Sequence, residues 1–373
     1  MPSAAASPTW LTSDASRRTD RRGDDLFGVR LRSTGIALPE TRRTTDEVMN
    51  ATRHKTGVKL AKLTGIHERR VVSPGEDSFV LSVKAARDAM KRADLQGHEI
   101  DCVINCSITR YKGRRFSQRF EPALSLSLKQ AIGAANALNF DVQNACAGML
   151  TGVFLMNNMI RRGIVRRGLV VSGEHISGLS DNASQHVRHV LSRELASLTI
   201  GDSGAAVILE RSEDQDGLFS AGITTLAAHS RLCLAYPNKW GPGHRMFTKA
   251  RQLHKHGIAA TASLLNEALD DAQLELAEVD WVIPHQTSSR AIRAGYLKVV
   301  KEQGQEPANY VDNLAEFGNT SSTSHFVALH KHLSERRFKE GESVMMIAQA
   351  SGFELGYFVF RVDELVDLYG NDH

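Results

Sequence analysis

Three side chains in this sequence stand where one structural element gives way to another. Cys146 lies in the segment NFDVQNACAGMLTG, where a strand pattern changes into a helical one. His285 follows the short apolar run VIP, and Asn319 lies in the glycine turn FGNTS. A thiol, an imidazole and an amide in such places are the groups needed to carry an acyl chain and form a carbon–carbon bond.

Cys146 is predicted to be the nucleophile. A cysteine in the first turn of a helix lies at the positive end of the helix dipole, which is expected to lower its pKa and favour thiolate. A thiolate attacks a thioester carbonyl and holds the acyl group covalently. The alternative is a small buried cysteine without chemistry. That interpretation is the one adopted for Cys102, Cys106 and Cys233.

His285 and Asn319 are predicted to act as a pair. A neutral imidazole and an amide can both donate hydrogen bonds to one carbonyl oxygen, which stabilises the enolate formed beside a thioester. Taken singly, the histidine could be structural and the asparagine a turn-capping residue. The presence of all three groups in one chain supports each assignment.

The bulk properties exclude several classes of protein. With 373 residues, 42% hydrophobic and 24% charged, the chain has a globular composition, and a net charge of +4 does not suggest a nucleic-acid-binding protein. The four cysteines lack zinc or disulfide spacing, which favours a reducing cytoplasm. No run of about 18 apolar residues is present to cross a membrane. Residues 1–26, rich in Ser, Ala, Arg and Asp, are predicted to be a disordered tail.

An internal duplication predicts the fold class. A helical stretch over 79–93 leads into the strand pattern IDCVINCS, and a second over 258–272 leads into VDWVIPHQ. Such alternation predicts an α/β fold with mostly parallel sheet. We expect two similar α/β halves, 27–212 with the nucleophile and 217–373 with the histidine and asparagine. The active groups should meet where the halves pack together.

The motifs carry a family resemblance. NACAG around Cys146, PHQ around His285 and GNTS around Asn319, in this order and with TGIHER and GDSGAA, resemble β-ketoacyl-acyl-carrier-protein synthase III and its thiolase-fold relatives. The resemblance runs from about Gly28 to Val362. It implies a five-layered αβαβα fold, a homodimer and a Cys-His-Asn triad. It also implies an oxyanion hole formed by the backbone N–H groups of Cys146 and Gly352.

The chain also departs from the usual pattern. Priming synthases usually carry a tryptophan just before the Thr-Gly-Ile element, where this chain reads VKLAKL. The segments FEPA and ELASLT resemble the subgroup that joins two acyl chains, which includes head-to-head olefin, α-pyrone and dialkylresorcinol ketosynthases. In that subgroup a glutamate at the place of Glu121 reaches the partner subunit's active site and acts as base. A second acyl chain without a carboxylate to lose must give up a carbon-bound proton, and a desolvated glutamate can accept it. The alternative for Glu121 is a solvated loop charge.

Arg290, one turn beyond His285, matches the family position that contacts phosphopantetheine or the carrier protein. With Arg293, Lys298 and Lys301 it forms a basic helix face suited to an acidic carrier. A merely solvated face is the alternative interpretation.

The predicted function is a ketosynthase that performs a Claisen condensation of two acyl thioesters through a Cys146 acyl-enzyme, giving a β-ketoacyl or pyrone-type product. The substrates would be acyl-CoA or acyl-carrier protein, and no metal or other cofactor is required. One alternative is a decarboxylative priming 3-oxoacyl-acyl-carrier-protein synthase III that uses malonyl-carrier protein. Two others remain open: an acyltransferase to a hydroxyl or amine, and an inactive partner subunit.

Overall fold

The computed structural model describes residues 26–112, 117–118, 122–213 and 218–369. In these residues the strands are β1 (Gly28–Ala37), β2 (Arg42–Thr44), β3 (Glu68–Arg70), β4 (Cys102–Asn105), β5 (Tyr111–Lys112), β6 (Ser117–Gln118), β7 (Leu138–Asp141), β8 (Arg167–Glu174), β9 (Ser203–Ser212), β10 (Leu218–Thr225), β11 (Cys233–Pro237), β12 (His244–Thr248), β13 (Trp281–Pro284), β14 (Asn309–Tyr310), β15 (Ser343–Ala350) and β16 (Glu354–Arg361). The α-helices are α1 (Thr45–Asn50), α2 (Leu60–Thr64), α3 (Ser78–Arg92), α4 (Leu124–Ala131), α5 (Gly148–Arg161), α6 (Ser177–Ser184), α7 (Ala250–Ala272), α8 (Ser289–Gln303), α9 (Leu314–Phe317) and α10 (Ser324–Ser334).

Two five-stranded sheets with matching strand order form the framework. The first has the order β1-β9-β8-β4-β7, and the second has the order β10-β16-β15-β13-β14. In the first sheet β4 is parallel to β7 and β8, while β9 is antiparallel to β1 and β8. The second sheet repeats this arrangement around β13 and β16.

The prediction of mostly parallel sheet is therefore wrong for half of the strand pairs in these sheets. Between β15 and β16 only three residues are available, which is too short for the crossover that a parallel pair needs. The short apolar runs of β9 and β16 look alike in either orientation, so their pattern does not reveal the direction of pairing.

The layers follow from which helices touch which sheet. Helix α3 packs on β1, β8 and β9 at the outside of the first sheet, and α7 packs on β10, β15 and β16 at the outside of the second. Helix α5 contacts β8 and β9 on one side and β10 and β16 on the other, so it lies between the sheets. Helix α10 contacts β1, β9 and β13 in the same central layer. The predicted αβαβα arrangement is confirmed.

The central layer holds a core shared by both halves. Helix α5 contributes apolar residues at three- and four-residue spacing, and α10 contributes a matching set; all of them are buried in one cluster: Met149, Leu150, Val153, Met156, Ile160, Phe326, Leu329 and Leu333. Burying one such side chain stabilises the fold by roughly 1.5–3 kcal/mol. A Cβ at Gly152 would lie 2.6 Å from Val170 Cγ1 and 2.7 Å from Cys106 Sγ. Helix α5 therefore packs closely against β4 and β8, and this close packing fixes the distance between the first sheet and the turn that precedes α5.

Several segment predictions concern the chain ends and the boundary between halves. Residues 1–25 of the predicted tail and residues 214–217 at the predicted boundary lie outside the described residues. The strands of the first sheet come from residues 28–212 and those of the second from 218–361, and the division into two halves stays a prediction. Helix α7 begins eight residues before the predicted start at Ile258. Within the described ranges no helix combines the length and apolarity that a membrane crossing requires.

Candidate active site

Cys146 lies in a tight turn that joins the first sheet to the central layer. After β7 the chain forms a 3₁₀ turn, Ala145–Ala147, and α5 starts only at Gly148. Ala145 has φ +45°, a left-handed conformation that reverses the chain between strand and helix. A Cβ at Gly148 would stand 3.0 Å from the carbonyl oxygen of Cys106, so glycine allows this close approach. Cys146 thus precedes the helix, and its predicted place within the first helical turn is wrong by two residues.

The expected lowering of the Cys146 pKa is also wrong in direction. Burial raises the pKa of the Cys146 thiol to about 12, and the hydrogen bond with Ser321 opposes this only in part. A helix dipole contributes about 0.3–1 kcal/mol, which is less than the 1.36 kcal/mol that corresponds to one pKa unit. Desolvation therefore dominates, and the free protein holds Cys146 as a thiol at neutral pH.

Asn319 lies in a loop bound to the first half of the chain. Its N–H donates to the carbonyl oxygen of Thr199 at 3.0 Å, and its carbonyl oxygen accepts from the N–H of Gly201 at 3.0 Å. The Ser321 N–H donates to Asn319 Oδ1 at 2.9 Å, so the side-chain oxygen is engaged and this contact leaves the NH₂ group available as a donor. Asn319 lies outside a helix, in agreement with the predicted turn, and α10 begins only at Ser324.

His285 is held at the end of β13 in a neutral state. The backbone N–H of His285 donates to the carbonyl oxygen of Ile347 at 2.9 Å, and the ring Nδ1 lies 2.9 Å from Ser324 Oγ. Burial, together with His325 stacked at 5.4 Å, lowers the pKa of His285 to about 3. When the Ser324 hydroxyl donates to Nδ1, the ring proton resides on Nε2 and can be donated to a substrate oxygen.

One short segment, residues 319–324, links the three predicted groups. Cys146 Sγ lies 3.3 Å from Ser321 Oγ, although the two residues are 175 positions apart. Asn319 belongs to the segment itself, and Ser324 holds His285. The thiol, amide and imidazole are therefore gathered around one loop at the junction of the halves.

Comparison with known proteins agrees with this arrangement. Residues 140–226 match the family profile of 3-oxoacyl-acyl-carrier-protein synthase III, and residues 269–362 match the profile of its C-terminal part. The β-ketoacyl-acyl-carrier-protein synthase III of Sphingopyxis alaskensis is 29% identical over 340 residues, which cover 89% of this chain and 98% of the relative. That of Roseiflexus castenholzii is 28% identical over 338 residues, covering 88% and 96%.

Solved structures show the same fold. The 3-oxoacyl-acyl-carrier-protein synthase III of Aquifex aeolicus superposes with a TM-score of 0.76 at 24% identity, covering 90% of this chain and all of that one. A variant of Xanthomonas campestris OleA gives a TM-score of 0.78 at 23% identity, covering 90% and 97%. The chain thus matches the thiolase-fold 3-oxoacyl-acyl-carrier-protein synthase III family in both profiles, in its curated relatives and in fold. It is accordingly an enzyme of the ketosynthase class, which forms carbon–carbon bonds.

The structure also describes Gly352, another residue predicted to belong to the site. Gly352 lies in the turn between β15 and β16 with φ +135°, and the 3₁₀ turn of Cys146 packs against both strands. The turn of Cys146 therefore lies against the two strands that Gly352 connects. The oxyanion hole, including the role of Gly352, stays a prediction. Glu121 lies outside the described residues.

Arg290 lines a surface cavity of about 530 Å³. The wall includes Lys59 and Lys62, which come from the segment where this chain departs from the usual synthase III sequence. Lys298 is paired with Glu302, so the predicted basic face of α8 is partly neutralised. Arg290, Lys59 and Lys62 together place positive charge around the cavity, which suits a phosphate group.

Sequence reasoning missed the residues that support the three reacting groups. Ser321 and Ser324 stand in the run GNTSSTSH and resemble ordinary turn and capping residues. Glu174, at the end of β8, was also missed, although a glutamate that ends the apolar run LVVSGE is a signal for a buried carboxyl group.

Proposed function

We propose that this enzyme condenses two acyl thioesters through a Cys146 acyl-enzyme. The observation that carries the proposal is the contact of Cys146 with the segment 319–324, which also supplies the Asn319 amide and holds a neutral His285. A nucleophile and two carbonyl-binding donors around one loop are what a condensation at a thioester needs.

In the first step Cys146 accepts an acyl group. The sulfur attacks the thioester carbonyl, a carbon–sulfur bond forms, and the donor thiol leaves with the proton that Cys146 gives up. Since burial raises the pKa of Cys146 to about 12, the thiol loses its proton only as it attacks. Stray electrophiles therefore react slowly with the resting enzyme.

In the second step another acyl thioester becomes the carbon nucleophile. Hydrogen bonds from His285 and Asn319 to its carbonyl oxygen stabilise the enolate as the adjacent carbon loses a proton. The enolate carbon attacks the Cys146 thioester, so that a carbon–carbon bond forms and the bond to sulfur breaks. On the sequence evidence, Glu121 is the proposed base. The product is a β-ketoacyl thioester or a pyrone formed from it.

The proposed substrates carry a phosphate-bearing arm. Arg290, Lys59 and Lys62 around the surface cavity support binding of coenzyme A or of the phosphopantetheine of a carrier protein. A flexible arm of this kind presents the thioester while its charged end remains at the surface.

A second candidate is decarboxylative priming with malonyl-carrier protein. The family names of the relatives, at 25–29% identity over nearly the whole chain, favour it. In that reaction the enolate arises by loss of carbon dioxide, and no base is needed to remove a carbon-bound proton.

The two candidates differ in what they release. The purified enzyme is given acyl thioester with and without malonyl thioester, and carbon dioxide and product mass are followed. We expect product without malonyl thioester and without carbon dioxide, and a loss of about a hundredfold in Glu121→Gln. The exposed Glu340→Gln serves as the matched control. Stoichiometric carbon dioxide, together with a nearly harmless Glu121→Gln, would establish priming instead.

A further inference from the structure

A buried carboxyl group, that of Glu174, lies behind the active-site loop. Its side chain is fully buried at the end of β8, and among the described residues it forms no ion pair. Its Oε1 accepts from the Ile108 N–H at 3.0 Å, and its Oε2 from the N–H and hydroxyl of Thr109, both at 3.3 Å. A carboxyl group kept out of water in this way is costly unless its partners are well placed.

Two serine hydroxyls complete the surroundings of Glu174. Ser172 Oγ lies 2.9 Å and Ser322 Oγ 2.6 Å from Oε1, and the two hydroxyl oxygens are 2.8 Å apart. The three oxygens form a triangle with three contacts, but two hydroxyls supply only two protons. If both hydroxyls donate to Oε1, the contact between the two serine oxygens carries no proton, and burial raises the pKa of Glu174.

Ser322 connects this triangle to the reacting groups. It is the neighbour of Ser321, whose hydroxyl contacts Cys146 Sγ and whose N–H holds Asn319 Oδ1. Ser321 has φ +59°, a conformation that costs a non-glycine residue energy and persists only where surrounding contacts hold it. The hydrogen bond between Ser322 and Glu174 anchors the residue directly after this strained position.

We infer that Glu174 is a positioning residue for the condensation step, acting through Ser322 to hold the segment 319–322 against Cys146. This inference rests on the proposed function. Glu174 belongs to the first sheet and Ser322 to the segment that supplies Asn319, so their bond sets the distance between nucleophile and amide donor. A shift of this loop would misplace the Asn319 donor, and misplacement by about 1 Å can cost on the order of a hundredfold in rate.

The decisive variants are Ser322→Ala and Ser172→Ala. The first disconnects the loop from Glu174, and the second removes a hydroxyl from the same triangle while keeping the Glu174–Ser322 bond. Acylation of Cys146 is measured by intact mass and condensation by product formation, each on protein whose thermal unfolding has been recorded. For Ser322→Ala we expect condensation kcat to fall about tenfold, with KM and acylation within about threefold. Ser172→Ala should lose less than about threefold.

Glu174→Gln tests the same link from the other side. In either orientation its amide NH₂ faces a backbone N–H, that of Thr109 or that of Ile108, so two donors oppose each other and the side chain is pushed away from Ser322 without loss of volume. We expect a loss similar to that of Ser322→Ala and no further loss in the double variant, because both changes remove one connection. If Glu174→Gln does not fold, the comparison of Ser322→Ala with Ser172→Ala alone decides whether Glu174 positions the loop.

A substrate-free readout separates this inference from the proposed function. The Ser321 hydrogen bond lowers the Cys146 pKa, so loosening the loop should slow alkylation of Cys146 by iodoacetamide about threefold in Ser322→Ala but not in Ser172→Ala. Equal alkylation rates in both variants and the unaltered enzyme, or a lowered melting temperature with unchanged kcat, would overturn the positioning role. Absence of any acyl-Cys146 in the unaltered enzyme would refute the proposed function, and the alkylation rates would still decide the role of Glu174.

Discussion

The two halves of the molecule use the same turn for different chemistry. In the first half the 3₁₀ turn Ala145–Ala147 leads into α5, and in the second the 3₁₀ turn Ser321–Thr323 leads into α10. Each turn begins with a non-glycine residue in the left-handed conformation, at φ +45° and φ +59°. The next residue is Cys146 in one half and Ser322 in the other.

The difference between these equivalent residues lies in their surroundings. Cys146 is only partly buried and contacts a hydroxyl of the opposite half, whereas Ser322 is fully buried and bonds to Glu174. One copy of the turn therefore presents a reactive atom, and the other anchors a loop that carries the amide donor. The two turns have similar backbones, and their side chains give them different surroundings and contacts.

The strongest test of this comparison removes the thiol. Cys146→Ala should abolish the acyl-enzyme and reduce turnover by at least about a thousandfold, because no other described group replaces the nucleophile. Cys233→Ala, which removes a partly buried cysteine bonded to Thr248, is the control. Intact-mass spectrometry after incubation with acyl thioester is the measurement. An acyl adduct that persists in Cys146→Ala would show that the first turn does not carry the nucleophile.

The second test removes the amide donor of the other half. Asn319→Ala should slow condensation by about a hundredfold while acylation of Cys146 changes only a few-fold, because the amide acts on the enolate oxygen. The exposed Asn309→Ala provides the control. Single-turnover measurements separate the steps. Equal losses in acylation and condensation would mean that the second turn serves the nucleophile as well.

A third test sharpens the comparison through pH. With the pKa of Cys146 raised to about 12, thiolate is the minor form at neutral pH, and its fraction rises about tenfold per pH unit between pH 6 and 9. His285, with a pKa of about 3, stays neutral over this range and adds no inflection. The rate of iodoacetamide alkylation should therefore climb without a plateau. A slope that falls clearly below tenfold per pH unit from about pH 8 to 9, as the pKa of about 8.5 of a free thiol would give, would contradict the desolvated thiol.

The smallest expected effect concerns the strained residues. Ala145→Gly should raise the free energy of unfolding by roughly 0.5–1 kcal/mol, because glycine adopts positive φ without steric cost. Ser321→Gly relieves the same strain but loses the hydroxyl that contacts Cys146, so its gain should be smaller. Chemical denaturation of both variants is the measurement. A loss of stability in Ala145→Gly would show that the first turn is not strained.

Much of the site was accessible from local sequence. Glycine and alanine around Cys146, the proline before His285 and the glycine before Asn319 indicated turns at element ends, and the repeated helix and strand patterns indicated two similar units. The helices α3 and α5 and the strands β8 and β15 follow from periodicity, because period and apolar content are properties of neighbouring residues.

Other features could not be obtained in this way. The direction of β9 and β16 depends on connection geometry, and the bounds of α7 and α10 depend on packing that overrides local preference. Glu121 could be assigned a role only by resemblance, and that assignment stays a prediction.

Which groups are predicted to carry the chemistry, and their order along the chain, could be read from the residues alone. Their electrostatic state follows from the fold: Cys146 is a desolvated thiol rather than a thiolate, His285 is neutral, and Glu174 is tied through Ser322 to the loop that carries Asn319. Candidate groups can be predicted from the sequence because residue types and turns are local properties. Desolvation and hydrogen bonding arise from groups far apart in the chain, as the contact between Cys146 and Ser321 shows.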